Sequence, residues 1–120
     1  MSKEIVVLTD AVLITCIVQR GTGEGVVDAA MQAGAQGATS FFARGTGVRQ
    51  RHLGVLGITV NDEKEVVYII VPSDQADYMF EKLYFAAKLD TPGMGIMYMT
   101  PLEKMATYIP HEIVAKLNQP

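Results

Sequence analysis

The residues best suited to chemistry are three glycine clusters and a small set of cations. Arg20-Gly21-Thr22-Gly23 and Arg44-Gly45-Thr46-Gly47 repeat one tetrapeptide, and Thr91-Pro92-Gly93-Met94-Gly95 forms a third cluster. Glycine lets backbone N–H groups approach a ligand closely, and successive amides form an anion-binding concavity. Arg49, Arg51 and His52 follow the second cluster, and arginine grips phosphate or carboxylate through two parallel hydrogen bonds. Taken singly, each cluster is ordinary turn chemistry. Taken together, they suggest noncovalent capture of a small anion. Catalysis is not indicated. His52 and His111 have no Cys, His or Glu neighbour at ligand spacing, so neither a metal site nor a positioned general base emerges. Asp90 reads as the residue that ends a helix.

The elements that must position these groups follow from the apolar pattern. Ala11–Gln19 is almost continuously apolar and β-branched, which predicts a central strand buried on both faces. Val26, Val27, Ala30, Met31 and Gly34 recur at helical spacing and predict a helix over 24–35, with Thr22 as its cap. A second strand is expected over Ala38–Arg44 and a third over Glu65–Val71. Ser73 and Asp74 then suit a helix start, and Ala76, Met79, Phe80, Leu83, Tyr84 and Ala87 share one stripe of a helix over 74–88. A fourth strand is expected over Gly95–Met99; Met94, Met97 and Met99 alternate there as packing residues. Ile5–Leu8 reads as an arm or extra edge strand, and Pro110–Leu117 as a short amphipathic stretch.

The order is β-α-β-loop-β-α-β, which predicts an α+β fold, a ferredoxin-like βαββαβ sandwich with a long loop between strands 2 and 3. That loop follows Gly45–Gly47 and runs for about fifteen residues, a length that in a compact domain is usually functional or disordered. Its apolar positions Leu53, Val55, Leu56 and Ile58 argue against pure disorder. In this topology the ends of strands 1 and 2 and the starts of strands 3 and 4 meet at one edge of the sheet. The three glycine clusters fall at that edge.

The bulk numbers fit one domain over residues 1–120, with a core of 11–110, a short N-terminal arm and a C-terminal tail. At 120 residues the chain can bury a single core without a metal or disulfide staple. It is 49% hydrophobic and 19% charged, an apolar excess that suggests buried sheet or a subunit interface. No apolar run approaches the ~18 residues of a membrane span, and the N-terminal apolar stretch is too short for a signal peptide. A net charge of −3 disfavours wholesale binding of nucleic acid. The one cysteine, Cys16, lies in an apolar strand and reads as a buried structural thiol. The cytoplasm is the expected compartment.

At this point GATSFFARGTG, the loop after it, EVVYIIV and above all TPGMGIMYMTPLEKM resemble the PII family of nitrogen-signalling proteins. The likeness spans residues 12–110 and is most specific at Gly93 and Gly95 before strand 4 and at Thr100-Pro101-Leu102-Glu103. The resemblance implies a homotrimer with sheets facing inward and ATP or ADP bound in clefts between subunits. It also implies a T-loop that regulates a partner protein, a membrane transporter being one such target. Carried over by position, it implies that Thr39 contacts adenine, that Gly45, Thr46 and Gly47 line the T-loop base, and that Gly93, Met94 and Gly95 donate to phosphate. Arg49 joins these as a ligand contact. Arg51, His52, Leu53, Val55 and Leu56 are the expected partner-binding residues.

The sequence also departs from that pattern. Ile96 stands at the family's B-loop lysine, Thr107 and Ile109 stand at two arginines, the T-loop glutamine falls at Arg49 unless the register slips by one to Gln50, and the loop lacks tyrosine. Each charged contact is worth about 1.5–3 kcal/mol, so ADP, AMP or another small anion is easier to hold than ATP, and no cofactor is expected to be tightly bound. An ACT-like sensor of amino acids or other small metabolites shares the layout. It does not call for a long loop between strands 2 and 3.

Overall fold

The computed structural model describes residues 4–45 and 63–113. Among these described residues four strands form one sheet: β1 (Ala11–Gln19), β2 (Thr39–Arg44), β3 (Glu63–Pro72) and β4 (Gly95–Leu102). Two helices, α1 (Gly23–Gln32) and α2 (Ala76–Ala86), complete the βαββαβ order. The strand order is β2-β3-β1-β4, and every pairing is antiparallel. The β-branched run Ala11–Gln19 therefore becomes a central strand, and the ferredoxin-like α+β fold follows.

Both helices pack on one face. Val12, Ile14, Cys16 and Val18 of β1 and Val67, Ile69 and Val71 of β3 meet Val26 and Ala30 of α1 and Ala76, Met79, Leu83 and Ala87 beside α2. The opposite face is open: Tyr68, Ile70, Phe41, Ile96 and Tyr98 are exposed there, and Leu13 and Ile17 are half-buried. Within one chain β1 is thus covered on one face only, where its sequence predicts cover on both. The register explains the split. Cys16, Val67 and Met97 share the covered row, while Thr15, Tyr68, Tyr98 and Thr39 share the next row on the open side.

Boundaries shift where local chemistry overrides the pattern. α1 ends at Gln32 because Gly34 takes φ +105° and the Ala35 amide closes back on the Ala30 carbonyl at 2.9 Å. Met31, placed on the apolar stripe by spacing, is exposed. A 3-10 turn, Ser73–Gln75, precedes α2, so Ser73 lies inside that turn and not at a cap position, which falls to Pro72 and then to Gln75; the Ser73 amide donates to the Asp10 carbonyl at 3.0 Å. α2 stops before Lys88, whose φ of 57° breaks the helix. β3 is longer than the apolar block at both ends, and β4 continues through Thr100 and Pro101. Proline is tolerated there because β4 is an edge strand. The N-terminal arm joins the tail through one bridge, Leu8 with Met105. Residues 111–113 are helical, and the rest of the expected tail helix lies outside the described residues.

Candidate functional site at one edge of the sheet

The register places the four strand termini together. Gln19 pairs with Lys64, Arg44 with Glu63, and Val18 with Gly95. The first and third glycine clusters and Gly45 therefore stand at one edge, as the topology requires. Thr46, Gly47, Arg49, Arg51, His52, Leu53, Val55 and Leu56 lie outside the described residues.

The Gly93–Gly95 corner is fixed from β1. The Gln19 side-chain amide donates to the Gly93 carbonyl at 2.9 Å. Gly95 takes φ +145°, and a methyl group there would collide with the Ile17 carbonyl oxygen. Only glycine allows this backbone to press so closely on β1. Met94 is half-buried between the two glycines, and Ile96 is exposed at the start of β4. Thr107 is exposed and Ile109 half-buried in the tail. None of these three positions supplies a cation.

The first cluster behaves differently. The amides of Gly21 and Gly23 donate to one carboxylate oxygen of Glu65, at 3.1 and 3.0 Å. Glu65 is buried. Thr22 takes the first position before α1 with φ −90° and ψ −20° and makes no side-chain cap bond. Its expected capping role passes to Glu65, a carboxylate at the positive end of the helix. Arg20 reaches outward, forming an ion pair with Glu63 at 3.2 Å and lying 4.6 Å from the centre of the Phe42 ring. The anion concavity expected at this turn is therefore filled by the protein itself.

Gly45 lies against the Lys64 side chain, which brings positive charge to the edge. Gly45 and Gly95 share that edge but extend from opposite flanks of the sheet, three strand spacings or roughly 14 Å apart. Thr39 is farther away. It begins β2 in the row of Tyr68, five residues and roughly 17 Å from Arg44 along the strand. A single chain thus brings Gly93, Met94 and Gly95 together but leaves Gly45 and Thr39 apart from them. Gln19, Lys64 and Glu65 were not singled out by sequence reasoning. The charged opening Glu63-Lys64-Glu65 of an apolar strand, opposite a strand that ends at Gln19 just before Arg20, was the available signal.

The family model for nitrogen regulatory protein P-II matches residues 11–112. The chain belongs to the P-II family. Among solved structures, Arabidopsis thaliana PII bound to citrate is similar at 21% identity, with 79% of each chain covered and a TM-score of 0.61. A DUF3240 family protein from Shewanella baltica OS155 is similar at 14% identity, covering 85% of this chain and 100% of that one, with a TM-score of 0.64. No curated protein matches this sequence. The two structural likenesses speak for the fold, and the family match makes the chain a P-II-type signal-transduction protein.

Among the described residues no group of His, Cys, Asp and Glu is arranged to hold a metal ion, and no described helix is long and apolar enough to cross a membrane.

Proposed function

We propose that this P-II protein is a non-catalytic cytoplasmic switch that binds an adenine nucleotide in clefts between the subunits of a homotrimer. The observation that carries the reading is the meeting of four strand termini at one sheet edge, with Gly45 and the Gly93–Gly95 backbone at its two flanks. Within one chain the ends of β3 and β1 stand between the two flanks. A neighbour's Gly45 flank beside this chain's Gly93–Gly95 flank removes that separation. The exposed apolar and aromatic residues Tyr68, Ile70, Phe41, Ile96 and Tyr98 support assembly through the open face.

Gly93, Met94 and Gly95 are the phosphate donors in this reading. Lys64, Gly45, Thr46, Gly47 and Arg49 flank the ligand, and Thr39 approaches the base. With Ile96 where the family has lysine, ADP or AMP fits better than ATP. The citrate in the Arabidopsis structure is a reminder that a small carboxylate is a related class of ligand. Regulation of a partner, such as a membrane transporter, through Arg51, His52, Leu53, Val55 and Leu56 belongs to the same proposal. Calorimetric titration with ATP, ADP, AMP and cyclic nucleotides tests it. Binding of at least one, with a raised melting temperature, is expected; silence from all of them overturns the nucleotide reading and favours an amino acid or other metabolite.

A further inference from the structure

Residues 19–23 touch β2, β3 and the approach to β4 near the sheet edge. Gln19 holds Gly93 on the approach to β4, Arg20 holds Phe42 of β2 and Glu63 of β3, and Gly21 and Gly23 hold Glu65 of β3. Of these contacts, the one to Glu65 is the most enclosed. Arg20 and Glu63 are exposed, and an exposed ion pair orders little by itself. Glu65 is buried, and a methyl group on Gly23 would collide with its carboxyl group. Gly23 and Glu65 thus fit as a matched pair: a missing side chain makes room for a carboxylate, and the carboxylate satisfies the Gly23 amide that the helix start leaves open and the Gly21 amide of the turn before it.

We propose that Glu65 is a positioning residue for the effector edge. Its carboxylate fixes the Arg20–Gly23 turn to the start of β3. Through that turn it sets where Gln19 holds Gly93 and where Arg20 holds β2. Glu65 touches no effector in this arrangement; it acts through the backbone at Gly93–Gly95 and at Arg44–Gly45. The inference deepens the proposed function and rests on it for the identity of the effector. The placement of the edge can be read without any effector.

The test is backbone amide exchange and amide chemical shift, recorded by NMR on the effector-free protein and on Glu65→Gln and Glu65→Asp. Gln keeps the shape and loses the charge; Asp keeps the charge and falls one methylene short. Exchange at Gly21 and Gly23 should rise at least tenfold in Glu65→Gln, and the amides of Gly45 and Gly95 should shift and exchange faster as well. Glu65→Asp should fall between wild type and Glu65→Gln. A change confined to residues 20–24 would overturn the proposal and leave Glu65 as a local helix cap. Should Glu65→Gln fail to fold, Glu65→Asp carries the same readout and the same overturning result. A titration of wild type with ADP, run separately, addresses the nucleotide reading; its failure would leave the exchange result standing.

Discussion

The Gln19 side-chain amide donates to the Gly93 carbonyl across 74 residues of sequence, at 2.9 Å, and so ties the last residue of β1 to the glycine corner before β4. Its other side-chain atom, Oε1, is buried without a partner among the described residues. Gln19→Leu removes the tether while keeping most of the volume. A net hydrogen bond is worth about 0.5–1.5 kcal/mol, so effector affinity should fall roughly 2- to 12-fold. Gln19→Glu should be worse than Gln19→Leu, because a carboxylate cannot donate and would face the Gly93 carbonyl oxygen. Calorimetric titration of both variants with ADP measures the difference; equal affinities for all three proteins would sink the tether.

Gly95→Ala should destabilise the fold as well as the site. The residue sits at φ +145°, and the added methyl would meet backbone of Ile17 and Val18, which cannot swing aside as a side chain would. Strained backbone of this kind costs about 1–3 kcal/mol, and displacement of β4 from β1 adds to it. Chemical denaturation should show that loss, together with weakened nucleotide binding. A variant as stable as wild type would mean that the corner relaxes without cost.

Much of this arrangement was legible in the sequence, for identifiable reasons. Ala11–Gln19 announces a central strand because apolar residues, many of them β-branched, fill it almost without interruption, and β1 takes those bounds. The meeting of glycine clusters at one edge follows from topology alone, since antiparallel strands return to the same side. What stayed hidden depends on contacts between distant residues. Thr22 looks like a cap by type, yet a carboxylate 43 positions later does the capping, and the charged opening of β3 marks Glu65 without telling which amides it meets. The separation of Thr39 from Gly95 was hidden as well, because it depends on β2 and β4 being opposite edges of the sheet. The resemblance puts both on one ligand, and the proposed function accordingly places that ligand between two chains.

The open face supplies the test of assembly. Tyr98 and Ile96 stand exposed on β4, and Tyr68 and Phe41 pack edge to face with ring centres 5.3 Å apart. If copies meet there, Tyr98→Glu places a charge in an apolar contact and should shift the protein from the proposed trimer to monomer. Light scattering coupled to size exclusion reads the mass directly. A mutant of unchanged mass would mean that the copies meet elsewhere. Circular dichroism should remain that of a folded chain, because Tyr98 faces away from the helices.

Cys16 should be inert and should mark the core in its pH response. Its side chain is fully buried between Val67 and Met97, and burial pushes the thiol from the ordinary 9.0 up to about 11. The thiolate is the reactive form, so a thiol reagent at neutral pH should label the protein only after denaturation. Above pH 9 the unfolded chain releases the Cys16 proton while the native chain retains it. The unfolded state then binds fewer protons, and stability falls as pH rises from about 9 to about 11. Tyrosines and lysines titrate in the same range, so the comparison is with Cys16→Ala, which keeps them all. Cys16→Ala should be less stable than wild type at pH 8 because it opens a cavity, and the gap should narrow steadily toward pH 11. Parallel curves for the two proteins would mean that the thiol ionises as readily inside the sheet as in the unfolded chain.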